Sequence, residues 1–169
     1  NSFLNKFSER TRMFLSDEDM DKIRNQTIAL AGLGGIGAIV LEILVRTGAT
    51  KLRIMDMDKY ETSNLNRQVF ATVNTTGKWK TETAAERIKE INPFVDVEMI
   101  ITEKTNRNNV GKFLDGVDLF ILEADFPSGM LLFHESAKKH RIPLIDGGCI
   151  KVTGGSVKVF DYRDPKQVC

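Results

Sequence analysis

Apolar runs and amphipathic segments alternate along the chain from residue 28 onward. Short apolar runs predict strands at 28–31, 51–56, 96–101, 118–123, 143–147 and 156–160. Between them, apolar residues at helical spacing predict helices at about 35–47, 78–91 and 128–139. This alternation is typical of an α/β fold, with a mostly parallel sheet and helices on both faces.

The two ends of the chain depart from this alternation. The last predicted strand follows Gly154-Gly155 with no helix-length segment before it, so we expect it to pair antiparallel at an edge of the sheet. The first 25 residues are polar and charge-rich, and Ser16-Asp17-Glu18-Asp19 is typical of a capped helix start. We therefore expect an N-terminal arm and helix, 1–26, and one domain, 27–169.

A glycine-rich turn joins the first strand to the first long helix. Gly32 can make the tight turn, Gly34 lets backbone approach phosphate oxygens, and Gly37 lets the helix pack against the strand. The helix N-terminus offers backbone amides to an anion. Asp56, at the end of the second strand, can accept hydrogen bonds from ribose hydroxyls. The pattern predicts a nucleotide site in a Rossmann-like domain.

Polar and cationic residues follow the second strand. The binding of a redox cofactor does not require such residues. Besides Asp58 and Asn66, the segment carries Arg67 and, further on, Lys80. Two cations favour a triphosphate, since a planar guanidinium and an ammonium together can neutralise charge that moves onto pyrophosphate. Taken singly, Arg67 is better explained as the cap of a loop, and Lys80 as the start of a solvated helix face.

Composition and net charge limit the classes of protein to which this chain can belong. Lysine and arginine total 24 against 23 acidic residues, a net charge of +1, so overall charge gives no argument for nucleic acid or membrane. The chain has no apolar run of membrane-spanning length, no signal pattern, and only two cysteines. We expect a cytoplasmic protein without membrane attachment, in which Cys149 is a small buried residue.

Together these motifs resemble the ThiF/MoeB/HesA superfamily, whose adenylation domain is shared with the ubiquitin-activating enzymes. The resemblance runs from about residue 10 to residue 160 and rests on Gly32-x-Gly34-Gly35-x-Gly37, Asp56-x-Asp58, Ser63-Asn64-Leu65-Asn66-Arg67-Gln68, Gly77-x-x-Lys80 and Ile91-Asn92-Pro93. It implies an enzyme that activates the C-terminal carboxylate of a ubiquitin-like or sulfur-carrier protein ending in glycine. The carboxylate would attack the α-phosphate of Mg-ATP, giving an acyl-adenylate and pyrophosphate.

The resemblance also implies which residues contact the nucleotide. The turn around Gly35 would face it and Asp56 would hold the ribose. The phosphates would be held by Asn66, Arg67 and Lys80. Asp58 and Ser63 belong to the matching motifs and are expected at the same site.

A metal ligand and a contribution from a second subunit are implied as well. Asp125 lies just beyond the strand at 118–123, at the carboxyl edge of the sheet, and would hold Mg²⁺. Arg12, with Arg10 as second choice, resembles an N-terminal arginine that reaches the ATP of the opposite subunit in a homodimer. The single thiol of Cys169 cannot make a tetrahedral zinc site, so we expect no zinc in this chain. If the natural chain continues past Cys169, we expect a Cys-x-x-Cys motif there.

Three alternatives remain open. Some members of this superfamily activate a carboxylate on a modified transfer RNA base and close it to a ring, although the net charge argues weakly against nucleic acid as a partner. An NAD-dependent oxidoreductase fits the glycine turn but leaves Arg67, Lys80 and Asp125 without a use. A non-catalytic partner subunit would keep the fold and lack turnover.

Overall fold

A computed structural model describes residues 2–101, 104–124, 127–150 and 154–167, and its centre is one six-stranded sheet. The strands are β1 (Thr27–Ala31), β2 (Lys51–Asp56), β3 (Asp96–Ile101), β4 (Leu119–Leu122), β5 (Pro143–Ile150) and β6 (Gly154–Asp161). They lie in the order β3-β2-β1-β4-β5-β6, all parallel except β6, which is antiparallel to β5. The predicted α/β fold and its antiparallel edge strand are confirmed.

Six α-helices accompany the sheet in the described residues. They are α1 (Ser2–Phe7), α2 (Asp17–Asn25), α3 (Gly35–Thr47), α4 (Lys80–Ile91), α5 (Arg107–Leu114) and α6 (Pro127–His140). The predictions of α2, α3, α4 and α6 are confirmed to within about two residues, whereas α1 and α5 were not predicted. None of the described helices has the length and apolar character that a membrane crossing requires.

Side chains alternate between two cores, one on each face of the sheet. On β1, Ile28 and Leu30 pack with residues of α3 and α4, while Ala29 and Ala31 pack with residues of α5 and α6. Because β1 is buried on both faces, it reads as a continuous apolar run rather than as an alternating pattern.

The turn between β1 and α3 is held by close backbone packing. Gly32 has φ +92°, and a Cβ there would lie 2.6 Å from the carbonyl oxygen of Glu123, the residue directly after β4. A Cβ at Gly37 would overlap the carbonyl oxygen of Gly32. Glycine at both positions therefore lets α3 start directly against the ends of β1 and β4.

The N-terminal arm is more ordered than its polar sequence indicates. The predicted cap of α2 is confirmed, since Ser16 Oγ accepts a hydrogen bond from Asp19 N and the Asp19 carboxylate accepts one from Ser16 N. The unpredicted α1 packs through Phe3, whose ring centroid lies 5.4 Å from that of Phe94. An aromatic contact far along the chain thus supports a helix too short to form alone.

Cys149 is exposed, so its prediction as a buried residue was wrong. It lies near the end of β5, opposite Gly155 on β6. A glycine partner has no side chain to cover the thiol.

Gly37→Ala should lower the free energy of unfolding by about 1–3 kcal/mol or more, since the new methyl group is forced against the Gly32 carbonyl. Gly111→Ala is the matched control, because Gly111 is also helical but a Cβ there meets nothing within 4 Å. It should raise the unfolding free energy by about 0.5–1 kcal/mol. Urea denaturation measures both; similar changes in the two variants would contradict the packing argument.

Candidate functional site

A cleft of about 510 Å³ lies where β1, β2 and β4 end. β2 and β4 flank β1 on opposite sides, so the order of the strands reverses at this point of the sheet. Open parallel sheets bind ligands at such a point. The cleft is lined by Ala31, Gly32, Gly34, Gly35, Met55, Asp56, Met57, Asp58, Lys59, Glu61, Asn64, Arg67, Gln68, Lys80, Thr105, Glu123, Ala124 and Phe133.

Asp56 joins the end of β2 to the glycine turn. One carboxylate oxygen accepts a hydrogen bond from the backbone N–H of Leu33 (2.6 Å) and the other from that of Asp58 (2.8 Å). The residue is only 9% exposed, and this burial raises the pKa of its carboxyl although Lys80 and the two N–H donors oppose the shift. Asp56 therefore holds the walls of the cleft together as well as facing it.

Lys80, the first residue of α4, is 6% exposed, so its interpretation as part of a solvated helix face is wrong. Its Nζ lies 2.9 Å from Asp58 Oδ2 and 4.0 Å from Asp56 Oδ1. Its backbone N–H also donates to the Asp58 carbonyl. The two carboxylates, one at the end of β2 and one two residues beyond it, make burial of the ammonium tolerable and fix it at the cleft.

Arg67 is exposed at the cleft and also caps a loop. Its Nη1 donates to the Ser63 carbonyl (2.9 Å) and to Asn66 Oδ1 (3.0 Å). The loop-cap interpretation is therefore correct, but a guanidinium has five N–H donors, so others can bind a ligand. Ser63 and Asn66 contact Arg67 and do not line the cleft themselves.

The glycines divide into two pairs by what surrounds them. A Cβ at Gly34 would have only Gln68 Nε2 within 4 Å, at 3.9 Å, and one at Gly35 would lie 3.4 Å from the Arg67 carbonyl oxygen. Both line the cleft, at the N-terminus of α3, where backbone N–H groups favour an anion. Gly32 and Gly37 instead permit the close packing of the turn.

The two N-terminal arginines lie apart from this cleft. Arg12 donates to Asn5 Oδ1 (3.2 Å), and its Nε lies 3.3 Å from Asp17 Oδ1. Arg10 Nη1 is 3.9 Å from the sulfur of Met13. Neither lines the cleft of its own chain.

Asp125, the predicted Mg²⁺ ligand, lies outside the described residues. The chain borders the cleft up to Glu123 and Ala124, directly before it. Within the described ranges, no three His, Cys, Asp or Glu side chains form a group that can hold a metal ion.

Several residues that line the cleft were not predicted to belong to it, among them Gln68, Glu123, Thr105 and Phe133. Gln68 stands in a matching motif but received no role, and Glu123 was seen only as the end of a strand. Its place at a carboxyl edge was the signal that could have identified it. Thr105 and Phe133 give no such signal, since an isolated threonine in a loop and an apolar helix residue have ordinary structural explanations.

Comparison with known proteins identifies the family. The model of the ThiF family matches residues 8–169. The chain belongs to the ThiF family.

Two similar curated proteins have different functions. The tRNA threonylcarbamoyladenosine dehydratase of Bacillus subtilis is 32% identical over 146 residues, covering 84% of this chain and 56% of that protein. The sulfur carrier protein adenylyltransferase of Thermus thermophilus is also 32% identical over 146 residues, covering 86% of this chain and 53% of that protein. The chain thus spans about half the length of these ThiF-family relatives.

A crystal structure of a similar protein agrees with the fold. The E. coli tRNA N6-threonylcarbamoyladenosine dehydratase, in complex with AMP, matches with a TM-score of 0.79 and 27% identity. The match covers 88% of this chain and 63% of that one.

Lys80→Met should raise the pKa of Asp56 further, because it removes the nearby cation that lowers it. Because the folded-state pKa of Asp56 is raised, protonation of Asp56 stabilises the folded state. This contribution to the free energy of unfolding is fully present below the ordinary pKa of 3.8 and is lost as the pH rises through the raised folded-state pKa. An NMR titration of the Asp56 carboxyl carbon measures the shift. Lys89→Met, exposed on the last turn of α4, is the control and should leave the pKa unchanged. Equal Asp56 pKa values in the wild type and Lys80→Met would contradict the assigned coupling.

Proposed function

We propose that this protein is an ATP-dependent adenylyltransferase that activates the C-terminal carboxylate of a ubiquitin-like or sulfur-carrier protein ending in glycine. The observation that carries the proposal is the combination at one cleft of an anion-binding glycine turn, the buried cation of Lys80 and the carboxylate of Asp56. The similarity to the Thermus sulfur carrier protein adenylyltransferase supports it.

The polar groups fit a nucleotide that lies across the ends of β1 and β2. Asp56 has lone pairs beyond its two backbone hydrogen bonds, and these can accept ribose hydroxyls. Phosphates would lie against Gly34 and Gly35 at the α3 N-terminus, between Arg67 and Lys80.

Asp58 would position the ammonium of Lys80, while Ser63 and Asn66 would position the guanidinium of Arg67. An ammonium has three N–H donors, so Lys80 can hold Asp58 and a phosphate oxygen at the same time. Ser63 and Asn66 would likewise hold the guanidinium of Arg67 at the cleft. The roles predicted for these residues thus become indirect ones, through the cation that each contacts.

In the reaction, a carboxylate oxygen of the substrate attacks the α-phosphorus. A new oxygen–phosphorus bond forms, the bond to the bridging oxygen breaks, and the electron pair leaves with pyrophosphate. The protein supplies alignment and charge stabilisation through Arg67 and Lys80, and no side chain needs to act as a nucleophile. Asp125 is the proposed ligand of Mg²⁺, which would supply further charge neutralisation on the phosphates.

A homodimer in the cytoplasm belongs to the same proposal. Arg12, or else Arg10, would enter the cleft of the partner subunit, and residues 1–26 would act as the arm that carries it. Arg12 would exchange its contact with Asp17 for one with the nucleotide.

A second candidate function is ATP-dependent dehydration of a modified tRNA base. The Bacillus subtilis relative and the E. coli structure, both tRNA threonylcarbamoyladenosine dehydratases, favour it. Its first step would be the same activation of a carboxylate, followed by ring closure. The hypotheses of an NAD-dependent oxidoreductase and of a non-catalytic subunit rest on the glycine turn and the fold alone.

Calorimetric titrations of Mg-ATP and of NAD test the nucleotide without knowledge of the substrate. We expect the wild type to bind ATP selectively, and Arg67→Ala and Asp56→Ala to weaken that binding. Binding of NAD but not ATP would overturn the proposal. If ATP binds, pyrophosphate exchange with a carrier protein, or instead with a carboxylate-bearing modified tRNA, separates the two candidate functions.

Arg67→Ala should reduce ATP–pyrophosphate exchange about a hundredfold or more, on the order of 3 kcal/mol, because it removes a cation from the transition state. The fold should persist, since Arg67 is exposed. Asp125→Ala should cause a comparable loss. Arg87→Ala is the matched control: it removes an arginine of α4 that pairs with Glu42 and Glu90 and does not line the cleft. Wild-type exchange by Arg67→Ala would contradict the assignment.

A further inference from the structure

Glu123 is a carboxylate at the cleft that the proposed reaction does not use. It directly follows β4 and lines the cleft. Ile121, two residues earlier, packs in the core that contains α3, and side chains alternate along a strand, so Glu123 projects to the face of α3. A Cβ at Gly37, in the first turn of α3, would lie 3.4 Å from the Glu123 Cβ. The carboxylate is therefore held beside the helix N-terminus at which the phosphates would bind.

Two glycines make room for this residue. A Cβ at Gly147, on β5, would overlap the Glu123 carboxylate. Gly32 has no space for a Cβ either, because the Glu123 carbonyl oxygen would lie 2.6 Å away. Glu123 is thus fitted between the glycine turn and β5, and its carboxylate lies on the β5 side of the cleft.

The nucleotide and the substrate carboxylate need different parts of the cleft. Asp56 would hold the ribose at the end of β2, whereas Glu123 follows β4, and β1 lies between these two strands. Neighbouring strands are about 4.8 Å apart, so the ends of β2 and β4 are separated by about 10 Å, which is room for a ribose and its 5′-phosphate. The carboxylate that attacks the α-phosphorus would therefore lie toward β4 and β5, on the side of Glu123.

The charge of Glu123 indicates what it can bind there. Phosphates and the attacking carboxylate are anionic, so another carboxylate beside them is unfavourable unless it accepts a hydrogen bond from the ligand. A carboxylate has about four acceptor positions, so contacts within the protein leave capacity for a ligand. A protein that ends in glycine offers a donor, since the N–H of its last peptide bond is attached to the carbon that bears the reacting carboxylate.

We propose that Glu123 is a substrate-specificity residue, whose carboxylate accepts a hydrogen bond from the terminal peptide N–H of the carrier protein. This inference rests on the proposed function, because it takes the substrate to be the carboxylate at the end of a polypeptide. The contact discriminates against acids that lack an N–H beside the carboxylate, since these leave Glu123 among anions without its donor.

Two stable analogues of the acyl-adenylate test this contact without knowledge of the carrier. Both are acylsulfamates of adenosine: one carries N-acetylglycine, and in the other an ester oxygen replaces the glycine N–H. We expect the wild type to bind the N–H analogue about tenfold to a hundredfold more tightly, as for a hydrogen bond to a charged group. Calorimetry in EDTA measures both affinities and excludes a contribution from bound metal.

Variants of Glu123 assign the preference to this side chain. Glu123→Met keeps the length of the side chain and removes its acceptors, so it should bind the two analogues alike. Glu123→Gln retains one neutral acceptor and should keep a preference of about twofold to tenfold. It also serves if Glu123→Met fails to fold, which thermal unfolding would show. Glu61→Met is the matched control, because it removes another carboxylate that lines the cleft, and its preference should equal that of the wild type.

The outcomes distinguish this inference from the proposed function. If the wild type binds ATP and binds both analogues with equal affinity, the role of Glu123 is overturned while the function stands. A wild-type preference that persists in Glu123→Met also overturns it. If Glu123 affects only a matching pair of N-carbamoylthreonine analogues, the acid of the second candidate function, the assignment to a protein substrate is overturned. If the wild type binds neither ATP nor the analogues, the proposed function fails and the inference fails with it.

Discussion

The carboxylate of Asp56 is the constraint on which the arrangement of the cleft depends. Its two oxygens accept N–H groups from Leu33 in the glycine turn and from Asp58 after β2. These segments follow different strands, β1 and β2, so the two hydrogen bonds fix the ends of both strands relative to each other. A buried, ionised carboxylate needs N–H donors and a nearby cation, because losing its hydration is costly in free energy. Asp56 is only 9% exposed, and Lys80 supplies the cation beside it.

Much of this could be predicted from the sequence because the decisive signals are local. Apolar runs identified all six strands, and the spacing of glycines identified the turn that begins α3. The two unpredicted helices lack such signals. The first turn of α5 is polar, and it buries only Val110, Phe113 and Leu114. Helix α1 depends on the distant contact between Phe3 and Phe94, which periodicity cannot show.

The electrostatic environment of the cleft was less predictable, because charge pairing depends on distance in space. Taken singly, Lys80 was interpreted as the start of a solvated helix face, and the local sequence does not show that its ammonium pairs with Asp58, 22 positions earlier. His134, on the opposite face of the sheet, is a second residue whose contacts the sequence does not predict. Its Nδ1 is 2.8 Å from the Tyr162 hydroxyl and its Nε2 3.6 Å from Asp146, yet nothing in its own segment predicts either contact. Burial lowers the pKa of this histidine, although Asp146 opposes the shift.

The strand order also determines when the sheet can be completed during synthesis. Residues 27–101 contain β1, β2 and β3 with both intervening helices, so this half can assemble from contacts within one stretch of chain. The other edge of β1 must wait for β4, because Ile28 pairs with Leu119 and Ala31 with Leu122. Until then the nascent chain exposes the hydrogen-bonding edge of a buried apolar strand, which can pair with another chain. A central first strand thus makes the newly made half-domain prone to association with other chains until β4 has been synthesised.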